Sequence, residues 1–236
     1  MIRLVKKPVR KTAGAGTGND RAWIERSAWA YGLVSPDPVV RSAALDRQAR
    51  GQREVEAAFD RMYQGPSLTR MLLFPVRNRA RNRAIDRCLP GALGSGSGYS
   101  YAHGSISSWP RLPLALLFLE WEARYPREWT EHAKSWGVKQ ALIRDLAATD
   151  HDQQLRTKLV ELVDLVVRRA HRCKDREYVR VARAVDGAEL RERLHDARRS
   201  EDPTARLHAS YVLWLLDRPE IPNTRHVWRT WSAGAP

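Results

Sequence analysis

The feature that most constrains the fold is an apolar repeat between residues 152 and 172. Leu155, Leu159, Leu162, Val163, Val166, Val167 and Ala170 follow an i, i+4, i+7, i+8, i+11, i+12, i+15 series. At about 100° per residue this puts all seven on one face of an α-helix. A strand has period two and would scatter them over both faces. The same three- and four-residue spacing recurs over 37–63 (Val39, Val40, Ala43, Ala44, Val55, Ala58, Phe59, Met62) and, more briefly, elsewhere along the chain. No run alternates Val, Ile and Thr between hairpin turns. The expected class is therefore all-α, a multi-helix array with no sheet.

Punctuation sets the expected element ends. Asn19 or Asp20 can cap a helix that runs to Gly32, and Ser35-Pro36-Asp37-Pro38 breaks it. Pro38 suits a first helical turn, where its missing N–H is not needed, and Gly51 is a place where 37–63 can divide. Pro75 is read as opening the next helix and Pro90-Gly91 as closing it. Helices are further expected over 112–125, 138–148, 175–185, 187–199 and, from Asp202-Pro203, to Asp217. Residues 91–110 are rich in glycine and serine and read as a long loop, linker or lid, with a domain boundary favoured. The expected organisation is a flexible basic arm (1–20), a basic helical region (21–90), this loop (91–110) and a helical domain (111–236).

Charge is distributed unevenly over these regions. The net charge is +14, but residues 1–90 hold 18 basic against 8 acidic side chains, 91–150 hold six of each, and 151–236 hold 17 against 13. With 34 arginines and 7 lysines, the choice of arginine can follow from GC-rich coding, whereas the excess of bases over acids cannot. The excess points to a polyanion, with nucleic acid ranked first and an anionic membrane surface second. Two sets of residues are the candidate nucleic-acid contacts. Lys6, Lys7, Arg10 and Lys11 lie in the arm. Arg77, Arg79, Arg81, Arg83 and Arg87 are the second set: Arg79, Arg83 and Arg87 repeat every fourth residue, opposite Ala84, Ile85 and Cys88, and Arg77 and Arg81 fall near the apolar edge, where they must snorkel or find partners.

Two helix starts look alike: Asp37-Pro38-Val39-Val40-Arg41 and Asp202-Pro203-Thr204-Ala205-Arg206, with His151-Asp152-Gln153-Gln154-Leu155-Arg156 as a looser version. This D-P-x-x-R pattern resembles the start of the second helix in HEAT-type repeats. The resemblance covers about nine residues at each site and lacks a regular repeat of about 40 residues. It implies stacked helix pairs, an aspartate cap and an arginine reaching a neighbouring unit. It also brings two alternatives to simple nucleic-acid binding: a protein-interaction scaffold, and an enzyme similar to the HEAT-like alkylpurine DNA glycosylases. No catalytic residue of the latter can be placed on this sequence.

Other chemistry finds little purchase. The glycines at 94, 96 and 98 form neither G-x-G-x-x-G nor a Walker loop, and no G-x-S-x-G occurs. Seven histidines give no HExxH, and Cys88 and Cys173 lack metal spacing and read as buried thiols. Glu120, Glu122, Glu128 and Glu131 cluster near Trp121, Tyr125 and Trp129, and ion pairing is preferred over acid–base work. The nine tryptophans are read as filling gaps between helices. There is no apolar run of about 18 residues and no signal peptide. The expectation is a cytoplasmic, non-enzymatic nucleic-acid-binding protein with no cofactor, no metal and no membrane partner, a protein partner being the alternative.

Overall fold

The computed structural model describes residues 17–94, 106–148 and 150–234. Among them are twelve α-helices, three short 3-10 turns and no strand. In chain order the helices are α1 (Thr17–Ser27), α2 (Pro38–Tyr63), α3 (Ser67–Arg87), α4 (Leu89–Gly94), α5 (Leu112–Arg124), α6 (Pro126–His132), α7 (Trp136–Ala147), α8 (Gln153–Val167), α9 (Tyr178–Ala184), α10 (Ala188–Arg199), α11 (Pro203–Leu216) and α12 (Arg225–Ala233). The class expected from periodicity is the class found.

One continuous apolar cluster runs through the fold, from Trp23 and Leu33 through Phe118, Trp121, Trp129 and Ile143 to Leu162, Leu194 and Leu215. Helix α5 is central to it. Leu114, Ala115, Phe118, Leu119 and Trp121 are all fully buried, as expected of so apolar a helix. It packs on the 3-10 turn at Ala28–Val34 on one side and on α8 on the other. Residues before and after the glycine-rich stretch thus share one core. Of that stretch, 91–94 belong to α4 and 106–108 form a 3-10 turn, while 95–105 lie outside the described residues.

The two D-P-x-x-R sites fold alike in detail. Val39 N–H donates to Asp37 Oδ1 and Thr204 N–H to Asp202 Oδ1, each at 2.8 Å. Asp37 N–H and Asp202 N–H donate to Ser35 Oγ and Ser200 Oγ, each at 3.2 Å. Arg41 turns back onto the Ser35 and Pro36 carbonyls, and Arg206 onto those of Ser200 and Glu201. The shared unit is therefore S-x-D-P-x-x-R, two residues longer than the pattern read from sequence. Arg41 also reaches Glu128 at 3.2 Å and stacks on Tyr125 at 4.3 Å. In the looser third copy Asp152 caps Leu155 at 2.8 Å, and Arg156 donates to the Asp186 carbonyl at 2.6 Å.

Several boundaries differ from expectation. Helix α2 runs unbroken past Gly51, and α1 begins at Thr17, ahead of both expected caps. Helix α3 starts at Ser67 rather than at Pro75 and carries Pro75 in its interior. An interior proline forfeits the hydrogen bond of its own nitrogen and crowds the preceding turn, at about 3 kcal/mol, and here it sits just past the second turn of the helix. Helix α3 ends at Arg87, before the expected Pro90-Gly91, and those two residues lie inside α4; a side chain at Gly91 would meet the Ile85 carbonyl oxygen at 2.7 Å. Helix α8 stops at Val167, so Ala170 is exposed and does not extend the apolar face. The chain leaves the helix because Arg169 and Arg172 turn inward to buried carboxylates, with Arg172 N–H also donating to Asp175 Oδ2 at 2.6 Å. Cys173 on that loop is exposed, contrary to the buried thiol expected, whereas Cys88 is buried.

Candidate nucleic-acid interface

Helices α2 and α3 form a long antiparallel hairpin that carries most of the predicted site. The 21 residues of α3 span about 30 Å at 1.5 Å per residue. Its packed face is set by Ala84, which is buried, and by Ile85, Asn78, Arg81 and Arg77, which are half-buried. The opposite face therefore points to solvent. Arg79, Arg83 and Arg87 are exposed there, about 6 Å apart along the axis.

The two edge arginines find partners, as their position required. Arg77 donates to the Gln64 carbonyl at 2.7 Å, satisfying a carbonyl just past the end of α2. The Arg81 guanidinium lies 4.5 Å from the centre of the Phe59 ring. Both are spent inside the hairpin. Arg87 lies 3.5 Å from Glu54, with both side chains more than half exposed, a pair that salt and solvent screen strongly. Arg79 and Arg83 make no hydrogen bond or ion pair with any described residue. Lys6, Lys7, Arg10 and Lys11 lie outside the described residues.

At the base of the hairpin the structure adds residues that the linear reading missed. A notch of about 390 Å³ opens between α1, α2 and the end of α3. Arg26, Arg47, Arg50 and Arg87 line it, together with Trp23, Trp29 and the acids Glu54 and Asp86. Trp23 fixes one wall: its indole N–H donates to the Asp86 carbonyl at 2.7 Å, and Arg111 stacks on its ring at 4.5 Å. Arg47 lies over Trp29 at 5.6 Å. Arg26 of α1 and Arg47 and Arg50 of α2 form no motif in sequence, because packing of separate elements brings them together, with Arg87 of α3.

A second ionic cluster is buried and has another character. Glu122 and Lys139 are fully buried, and Asp175 nearly so. Lys139 Nζ lies 3.0 Å from Glu122 and 2.6 Å from Asp175. Arg169 bridges the same two carboxylates at 2.7 Å each, and Arg172 meets Glu122 at 3.0 Å. Burial alone would raise the Asp175 carboxyl, but the Arg169 and Lys139 contacts outweigh it and hold it below the usual carboxylate range. Trp129 and Trp136 flank the Arg172 guanidinium at 5.8 and 5.2 Å, and its other nitrogen donates to Thr130 Oγ1. The expected ion pairing of the glutamate cluster is present: Glu120 pairs locally with Arg124 at 2.7 Å and Glu131 lies 3.9 Å from His132, while Glu122 and Glu128 take partners distant in sequence. Glu122 is held by three cations and has no opening to a substrate. The cluster ties α5 and α7 to the loop after α8.

A further cavity of about 180 Å³ lies between α8, α9 and α11, walled chiefly by Val163, Val167, Tyr178, His208 and Trp228. The C-terminal aromatics pack beside it. Trp228 and Trp231 of α12 lie 4.7 and 5.0 Å from Tyr211, the gap-filling role expected of tryptophan here. Among the described residues no three His, Cys, Asp or Glu side chains form a metal-ligating group. No helix of the described residues is long and apolar enough to cross a membrane. In comparisons with protein-family models, curated proteins and solved structures, nothing matches the chain.

Proposed function

We propose that the chain is a non-enzymatic, cytoplasmic nucleic-acid-binding protein that holds phosphates along the base of the α2–α3 hairpin. The observation that carries this reading is the pair Arg79 and Arg83. They are exposed on the outward face of α3, unpaired with any described residue and in line with Arg87 at the rim of the arginine-lined notch. A cation without a carboxylate is the one that gains most from a phosphate, since it loses no existing partner. Arg26, Arg47 and Arg50 extend the contact, and Lys6, Lys7, Arg10 and Lys11 of the arm add flexible contacts. The HEAT-type likeness belongs to the same reading and is supported by Arg41 and Arg156, which each bridge from one helix start to a neighbouring element.

The test is duplex DNA affinity across a salt series. Six phosphate contacts, from Arg26, Arg47, Arg50, Arg79, Arg83 and Arg87, give a log–log slope of about −5, so affinity falls roughly a thousandfold between ~50 and ~200 mM salt. The Arg79→Gln, Arg83→Gln, Arg87→Gln triple variant should lower the slope by about 2.7. A flat salt response, or a triple variant with the parental slope, would refute the assignment.

A further inference from the structure

The far end of the hairpin has a surface that phosphate contacts do not explain. Tyr63, Leu68, Met71, Leu72, Leu73, Phe74 and Val76 are each 40–73% exposed. Together they present on the order of 800 Å² of apolar surface, more than the ~300–600 Å² of the largest patch on an ordinary monomer.

Their arrangement narrows what can cover them. On the helical wheel Leu68, Leu72 and Val76 lie on the outward face of α3, Met71 lies to one side, and Leu73 and Phe74 lie toward α2. The exposed apolar surface thus wraps around the first half of α3. A two-fold dimer contact would cover one face and leave the others wet. Immersion in a medium covers all sides at once.

Charge selects the medium. From Arg61 to Ile85 there is no acidic residue, while Arg61, Arg70, Arg77, Arg79, Arg81 and Arg83 are all present, against the exposed acids Asp60 and Glu56 in the last turns of α2. Nothing between Met62 and Thr69 is charged, so the turn is neutral and Arg70 is the single charge from Tyr63 to Val76. A neutral apolar end with a basic collar behind it matches the hydrocarbon boundary and anionic headgroups of a lipid surface. We propose that the α2–α3 tip, Tyr63 to Val76, docks into the interface of an anionic lipid bilayer, with Arg61 and Arg70 at headgroup level. This departs from the expectation of no membrane partner, which rested on the lack of a spanning segment. Arg79 and Arg83 lie just behind this tip and belong to both readings, whereas Arg87 and the notch lie at the other end of α3, about 30 Å from Ser67.

Flotation of the full chain with vesicles tests it. Vesicles of phosphatidylcholine with one quarter phosphatidylglycerol should carry the protein, and pure phosphatidylcholine should not. Met71→Ser with Leu72→Ser, both at exposed positions, should weaken vesicle partitioning at least about tenfold and leave duplex DNA affinity unchanged. Arg61→Gln with Arg70→Gln should weaken it about 25-fold, at roughly fivefold per arginine. Absence of flotation at low salt overturns the proposal, as does flotation that neither pair alters. It is also overturned if the serine pair turns a dimer into a monomer with no vesicle binding, which would assign the surface to a second copy. Loss of DNA affinity in an Arg26→Gln, Arg50→Gln variant with vesicle binding intact would support this proposal, since both residues lie in the notch at the other end of the hairpin.

Discussion

Removing Glu122 should unfold the protein far more readily than removing Lys139, although the two side chains touch. The buried cluster holds two carboxylates, Glu122 and Asp175, against three cations, Lys139, Arg169 and Arg172. Glu122→Gln leaves three cations around a single carboxylate in a site closed to water. Breaking a buried pair in this way costs about 3–5 kcal/mol. Lys139→Met instead leaves two carboxylates with two arginines, a balanced set. Asp175 Oδ1 keeps Arg169 at 3.1 Å, and Glu122 Oε2 keeps Arg169 at 2.7 Å. The methionine stem can pack against Trp136 and Tyr178, the rings that Nζ now faces at 5.5 and 5.8 Å. Its cost should be about 1–2 kcal/mol, for hydrogen bonds lost without an orphaned charge. At roughly 2–4 °C per kcal/mol for a chain of this size, the melting temperature should fall by about 6–20 °C for Glu122→Gln and about 2–8 °C for Lys139→Met. The double variant should cost less than the sum of the singles, since it restores the original net charge of the site. Thermal and urea unfolding of all three would measure this. If Lys139→Met equals or exceeds Glu122→Gln, or if the two effects add, charge balance is not what governs the cluster.

Other consequences follow from single contacts. The hydrogen bond from Arg144 holds the Glu177 carboxyl at about 2, below its ordinary 4.5; a depressed acid stabilises the fold above 4.5 and loses that contribution as the pH falls toward 2. Glu177→Gln should therefore flatten the acid limb of the stability curve in that window, and an unchanged limb would remove the Arg144 contact as its cause. Gly91→Ala forces a methyl group against the Ile85 backbone, and should lower stability by about 1–3 kcal/mol in urea titration. Asp202→Ala removes the cap on Thr204 and should cost about 0.5–2 kcal/mol, with faster amide exchange confined to the first turn of α11.

The sequence by itself determined the helices. A 3.6-residue period is a local property, and so is a capping aspartate followed by proline; both act within a few residues and need no distant partner. The arginine row Arg79, Arg83 and Arg87 was legible for the same reason, as was the need of Arg77 and Arg81 for partners near the apolar edge. Tertiary structure decided everything that depends on which faces meet. The end of α8 at Val167 follows from carboxylates on α5 and on the turn at Asp175, and no window around Ala170 contains them. Arg26, Arg47 and Arg50 became one notch only when α1, α2 and α3 packed. Leu68, Leu72 and Val76 have the composition of core residues, and they lie outside because the hairpin extends beyond the elements that could cover it. Hydrophobicity fixes what a side chain gains from burial, but only packing decides whether this chain or a partner provides it.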